Sequence, residues 1–264
     1  SHKNKKDFRL VVSTVGGLLS QGDIAELDAD LASTVITTIH LLSTIFPERM
    51  LITDNEELWA NAALCLNHPD SGVRLLTVRL IGLYLADFAK QGANNPPGQS
   101  LPGSHGLVLD VDKLQDYVRL ALNVLGGKEV DEALAKEAAQ ILIFLGPRLP
   151  DVPSTEGKDE TKPDDEDVGD EAEAEAADKD EEEQPSRPRD LGYLFWRLSH
   201  LLRKEIRPRS TAITPKIFAM EVLETICRRI SVNRIRPSLK RIIEPLHHLT
   251  DPSIPVPFSA DEEF

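Results

Sequence analysis

Leu58–Phe88 reads LWANAALCLNHPDSGVRLLTVRLIGLYLADF. Two apolar runs at helical spacing flank Asn67-His68-Pro69-Asp70, which ends the first helix, and Ser71 is placed to cap the second, which opens on Val73-Arg74. The segment is therefore a helical hairpin with apolar residues on more faces than its own two helices can cover. Such a unit cannot bury its apolar surface alone, so further hairpins must stack on it. The expected fold is all-α, a helical-repeat chain whose work is to hold other molecules.

The same periodicity extends in both directions. Residues 8–20 form a first run through Phe8, Val11, Val12, Val15, Leu18 and Leu19, weakened by Gly16-Gly17. Asp23 with Glu26 reads as a capping box opening a long helix through Ile24, Leu27, Leu31, Val35, Ile39 and Leu42, closed at Phe46-Pro47. Asp54 with Glu57 is a second capping pair, ahead of the central hairpin. The stretch QGANNPPGQSLPGSHG, residues 91–106, reads as a loop longer than a tight turn. It is either a partner-facing insertion or simple variation between repeats. Asp110 caps a helix to Leu125, Gly126-Gly127 stops it, and Asp131–Leu145 returns, ended by Gly146-Pro147.

Beyond residue 190, Leu191, Leu194, Phe195, Leu198, Leu201 and Leu202 make one stripe of an amphipathic helix. Arg197, His200, Lys204 and Arg207 follow at the same turn spacing on the other face. Thr214-Pro215 reads as an N-cap with proline at the first helical position, opening a helix to about Ile230. Pro237 starts a last short helix through Leu239, Ile242, Ile243 and Leu246, which Pro245 is expected to bend or end.

Aromatic residues are 5% of the 264-residue chain, a composition that suits Leu/Ala/Val-rich helical packing. The chain opens at Ser1 and has Met only at Met50 and Met220, which reads as a piece of a longer protein. No signal peptide and no apolar run of transmembrane length is visible. Cys65 and Cys227 stand singly inside apolar helical runs, as buried, reduced core thiols of an intracellular protein.

The net charge of −14 is unevenly distributed: residues 151–186 hold 17 acidic and 3 basic side chains, the whole imbalance. Residues 187–250 hold 14 basic against 5 acidic. Four parts follow. Residues 1–150 are helical repeats, 151–190 an acidic disordered insert, 191–250 basic helical repeats, and 251–264 a proline-rich acidic tail. Val152 and Val168 are the insert's large apolar residues, too few to offset the entropy of ordering it. Glu171–Ala177 can flicker into helix. The insert reads either as a solvated spacer or as an acidic segment that docks on a basic partner or screens the basic helices after it.

Two basic clusters follow it: Arg197, Arg203, Lys204, Arg207 and Arg209, then Arg228, Arg229, Arg234, Arg236, Lys240 and Arg241. They lie on or beside helix ends, where they can reach phosphates without disturbing the apolar stripes. Three readings remain open: contact with a phosphate backbone, contact with an acidic protein or this chain's own insert, and plain solvation. The preference for Arg, whose fork pairs with phosphate or carboxylate, and the scarcity of nearby acids favour the first two. Without interleaved aromatics, sequence-specific base readout is not expected.

Catalytic signatures are missing from the sequence: no phosphate-cradling glycine loop before Lys-Ser/Thr, no His-Glu-x-x-His, no Gly-x-Ser-x-Gly. His247-His248 are adjacent on a helix and diverge, while His40 and His68 read as a helix-face and a turn histidine. A non-enzyme without cofactor or metal is expected.

The central stretch resembles the late repeats of the DRIM family (down-regulated in metastasis), the large HEAT/armadillo-repeat proteins of the small-subunit processome associated with the U-three small nucleolar RNP. Leu58-Trp59, the turn His68-Pro69, Val73-Arg74-Leu75 and Leu80-Ile81-Gly82-Leu83 carry the likeness, and the run from Leu191 fits the family's C-terminal region more loosely. The acidic insert and residues 91–106 depart from the family pattern. The resemblance implies a HEAT/armadillo-like solenoid fragment and a nucleolar, non-catalytic scaffold for pre-rRNA processing and 18S rRNA maturation. Its implied partners are pre-rRNA or a small nucleolar RNP and other assembly proteins, with no membrane and no small-molecule substrate. A HEAT-type adaptor for transport or trafficking, binding proteins only, is the rival expectation.

Overall fold

The computed structural model describes residues 2–20, 22–89, 95–127, 129–152, 189–203 and 213–250. Most of them are helical and very few are strand, so the described fold is all-α. Its longer helices are α1 His2–Leu19, α2 Ala29–Ile45, α3 Glu56–Leu64, α4 Ser71–Ala89, α5 Val111–Gly126, α6 Glu132–Leu145, α7 Leu191–Arg203, α8 Ile213–Arg229 and α9 Leu239–Thr250. Successive helices pair as hairpins, α1 with α2, α3 with α4, α5 with α6 and α7 with α8. The hairpins then align in two rows. Helices α1, α3, α5, α7 and α9 touch in that order along one row, and α2, α4, α6 and α8 along the other.

This arrangement explains why α4 carries apolar side chains around so much of its circumference. With α2 on one side, α6 on the other and α3 behind, it buries Val73, Val78, Leu80, Ile81, Tyr84, Leu85 and Phe88. Each such side chain contributes about 1.5–3 kcal/mol on burial, far more than helix propensity, so packing between successive helices of a row, more than within its own hairpin, holds α4 in the stack. An aromatic column ties three hairpin helices together. Trp59 lies 4.7 Å from Tyr84, which lies 5.1 Å from Phe88 and 5.6 Å from Tyr117. The indole N–H of Trp59 donates to the Met50 carbonyl at 3.0 Å. Burial pushes the phenols of Tyr84 and Tyr117, which share a hydrogen bond, well above the ordinary tyrosine range.

Several helix starts differ from the sequence expectation. Asp23 caps only the short turn Ile24–Glu26, where the chain becomes extended at Leu27; α2 begins afresh at Asp28, whose carboxylate accepts from the Leu31 N–H at 3.0 Å. Asp54 lies inside the turn Thr53–Asn55 and caps nothing, because Asn55 occupies the cap position and its amide reaches back to the Arg49 and Met50 carbonyls. Asp70, not Ser71, caps α4 by accepting from Val73 N–H at 2.9 Å. Asp110 and Asp131 cap α5 and α6 as expected. Thr214 and Pro215 fall inside α8, and Pro245 lies within α9 without ending it.

The described part of the long α4–α5 connection is built rather than loose. Leu101–Pro102 pairs antiparallel with Val108–Leu109, and Leu101, Leu107 and Leu109 are buried. The carboxylate of Asp87, itself buried at the end of α4, accepts from Ser104 N–H at 3.0 Å and from His105 Nδ1 at 2.8 Å. Gly103 permits this approach: a Cβ there would stand 2.5 Å from Asp87 Oδ2.

Cys65 is fully buried in the core, and burial pushes its thiol up to about 11. Cys227 is only half-buried, a difference from the expected pair of core thiols. At the first hairpin Val11 and Leu10 are exposed, but Val15 is buried and Phe8 is half-buried, packing edge-on to Phe46 at 5.7 Å with Arg49 over both rings. Of the apolar residues in this first run, Val11 therefore faces solvent while Phe8 and Val15 pack inward. The insert's expected disorder and the tail 251–264 lie outside the described residues.

Candidate functional site

The basic residues that offered a partner signal divide by what already holds them. Arg197 Nη2 donates to Asn123 Oδ1 and its Nη1 to Tyr193 Oη, both at 3.1 Å, bridging α7 to α5. Arg203 pairs with Glu244 at 3.1 Å and so joins α7 to α9. Arg228 pairs with Glu224 one turn earlier at 2.7 Å, both exposed, a contact worth a few tenths of a kcal/mol. Lys204, Arg207 and Arg209 lie outside the described residues.

A second group converges on the carboxyl end of α6. Arg234 donates to the carbonyls of Pro147 at 2.8 Å and Leu149 at 2.7 Å and pairs with Asp151. Arg229 reaches the Ile143 carbonyl at 3.4 Å. Arg148, which the sequence reading passed over because it precedes the insert, lies with its guanidinium 4.1 Å over the Phe144 ring and donates to the Phe144 carbonyl. Unpaired carbonyls and the negative end of the helix dipole favour cations here. Carbonyls satisfy hydrogen bonds without cancelling charge, however, and Asp151 is the carboxylate paired there. Burial, and then the nearby Arg229, lower the Arg148 pKa. The Nε of Arg148 is buried without a hydrogen-bond partner.

Arg236, Lys240 and Arg241 stand exposed at the start of α9. Their backbone is fixed from below: Ser199 Oγ donates to the Arg241 carbonyl at 2.8 Å, and Ser238 is buried against the start of α7. The surface thus offers fixed guanidinium forks at the α6 end and solvated cations beside them, a combination suited to carboxylates or phosphates.

Other polar constellations read as structural. Ser104, His105 and Asp87 bring hydroxyl, imidazole and carboxylate together, but Ser104 Oγ donates to the Asp87 main-chain carbonyl at 3.1 Å. Their geometry latches a loop. His68, buried at the hairpin turn, accepts from Asp70 N–H at Nδ1 (3.0 Å), which leaves Nε2 protonated to donate to the Leu27 carbonyl at 2.9 Å. Lys216 is buried with its ammonium on the Leu202 carbonyl at 2.6 Å, and desolvation lowers its pKa. An open furrow of about 640 Å³ between α1 and residues 48–61 is lined by side chains of both signs, among them Arg9, Arg49, Glu48 and Glu57. Among the described residues no three His, Cys, Asp or Glu side chains gather as a metal site requires, and no helix is long and apolar enough to cross a membrane. No protein-family model, curated protein or solved structure matches the chain.

Proposed function

We propose that this chain is a non-catalytic segment of a HEAT/armadillo-like solenoid that supports pre-rRNA processing in the nucleolar small-subunit processome through protein and RNA-backbone contacts. The observation that carries the RNA part is the cationic surface at the α6 end and the start of α9, where Arg236, Lys240 and Arg241 are exposed on a backbone fixed by Ser199 and Ser238. The two ordered rows of helices support the solenoid. The specific assignment rests on the likeness of Leu58–Phe88 to the DRIM family. Arg74, one of the residues that carries that likeness, has a role a repeat would reuse: its guanidinium donates to both carbonyls of the His68-Pro69 turn and reaches the next inter-helix turn at Glu129.

Salt dependence tests the reading. The chain, and a form lacking residues 151–186, are titrated with structured RNA across salt concentrations. Weak, sequence-tolerant binding that strengthens without the insert is expected, and engaging about 3–5 phosphates would give a log–log salt slope of about −2 to −5. No binding by either form at low salt refutes RNA contact. A protein-only adaptor is the second reading, favoured by the exposed apolar side chains Ile213, Ile217 and Met220 on α8 and Leu239 and Ile243 on α9. Capture of neighbouring assembly proteins together with no RNA binding at low salt would support it.

A further inference from the structure

Residues 153–188 leave and re-enter the fold at one place. The Leu191 N–H donates to the Pro150 carbonyl at 3.0 Å, and Val152 packs so closely on Gly192 that a Cβ there would stand 2.9 Å from its Cγ2. Asp151 pairs with Arg234 on the departing side, and Arg189 pairs with Asp116 at 2.5 Å on the returning side. The excursion therefore begins and ends beside the arginines at the α6 terminus, and Ser238, two positions from Arg236 and from Lys240, borders the same spot, 3.6 Å from that Gly192 Cβ position. The excursion carries 16 acidic and 4 basic side chains.

We infer that the acidic stretch 156–183 docks on the cationic surface formed by Arg148, Arg229, Arg236, Lys240 and Arg241, so that this chain supplies its own polyanion to that surface. Charge complementarity and placement both support this occupant. At the α6 end Asp151 pairs with Arg234, while Arg148 and Arg229 rest on main-chain carbonyls, and Asp151 stands where the acidic stretch departs. Tethered at both ends beside the surface, the stretch acts at an effective concentration of order millimolar, so even a weak contact is populated. Its many carboxylates can exchange over several guanidinium forks without one fixed geometry.

A peptide of sequence 156–183 tests this without RNA. It is titrated, fluorescently labelled at low salt, into the whole chain and into a chain whose carboxylates between 156 and 183 are replaced by their amides. The neutralised chain should bind the peptide with a Kd of order 50 μM, and the unmodified chain about 20-fold more weakly, the ratio of a millimolar tether to that affinity. Adding Arg236→Gln, Lys240→Gln and Arg241→Gln to the neutralised chain should weaken binding at least 5-fold; these side chains are exposed, so the fold is retained. Equal affinity for the first two chains, or binding by neither, overturns the inference. Tight RNA binding by the neutralised chain together with no peptide binding also overturns it, while leaving the RNA reading standing.

Discussion

Arg74→Ala is the substitution whose cost follows most directly from the hairpin geometry. Arg74 Nη1 donates to the carbonyls of His68 at 2.9 Å and Pro69 at 2.7 Å, while Nη2 stands 3.5 Å from the Glu129 carbonyl. A hydrogen bond from a charged donor contributes about 1.5–3 kcal/mol where water cannot replace it. The His68 carbonyl is partly buried and loses most of that value. The Pro69 carbonyl is exposed and recovers it from solvent, and the Glu129 contact is too long to count for much. The expected destabilisation is therefore about 2 kcal/mol. At a urea slope of about 2–3 kcal/mol/M the midpoint falls by about 0.7–1 M.

Arg74→Lys should recover about half of this, because its strongly hydrated ammonium stands on a shorter stem and reaches the partly buried His68 carbonyl less well. Arg79→Ala on the same helix is the control. Its exposed pair with Glu137, at 3.4 Å, should be worth under about 0.5 kcal/mol. Urea unfolding of the three variants followed by far-ultraviolet circular dichroism decides. An Arg74→Ala midpoint indistinguishable from that of Arg79→Ala, or full recovery in Arg74→Lys, refutes the role given to the guanidinium.

Asp87→Ala leaves Ser104 N–H and His105 without their buried acceptor and should cost about 2–3 kcal/mol, read as faster amide exchange confined at first to residues 101–109. Gly146→Val would place a Cβ 2.4 Å from Ile226 Cδ1 and 3.0 Å from Leu194 Cδ2; the resulting overpacking should cost about 1–3 kcal/mol, and a thermal midpoint unchanged within error would contradict the close approach of α6 to α7 and α8. For Cys65 the folded thiol stays protonated to about pH 11, whereas the unfolded thiol ionises from about 9. The unfolded state thus releases a proton first, so this residue's contribution to stability is intact below pH 9 and falls by up to about 1.4 kcal/mol per pH unit above it. Wild type minus Cys65→Ala, measured from pH 8 to 11, should show that slope; equal alkylation of Cys65 and Cys227 in the folded chain at pH 8 would count against the burial assigned to Cys65.

The hairpins were legible because each apolar stripe is long and interrupted by residues with one local meaning. Asp110 marks the start of α5, Gly126-Gly127 and Asp131 mark the α5–α6 turn, and the structure uses them as the sequence implies. The start of α2 is not legible locally because Asp23 and Asp28 are both competent caps; the extended backbone at Leu27, whose carbonyl the buried His68 meets from across the hairpin turn, goes with Asp28. The loop 91–106 looked unstructured because its anchors, Leu101, Leu107 and Leu109, are too sparse for any period, and Asp87, which fastens it, sits in what reads as a helix. Among the candidate contact residues, sequence proximity put Arg197 and Arg234 in one class with Arg236. Distance in space separates them, since Asn123 and the carbonyls of Pro147 and Leu149 lie more than seventy positions from the arginines they hold.

The meeting of the two ends at Pro150 and Leu191 also explains how a chain can carry so large a charged insertion without disturbing its stacking. Loop closure cost rises by only about 0.6 kcal/mol per doubling of length. Residues 153–188, set against a five-residue turn, therefore add about 2 kcal/mol, within reach of the Asp151–Arg234 pair, the Leu191 hydrogen bond and the Val152–Gly192 packing. The rows on either side continue in contact, α5 on α7 and α6 on α8. Architecture and charge are thereby separable: the apolar stripes set how hairpins stack, and the insertion sets what charge stands beside the arginines at the α6 end. Changes in the acidity of residues 156–183 should shift the affinity of that surface for anions while leaving the unfolding midpoint of the helical rows nearly unchanged.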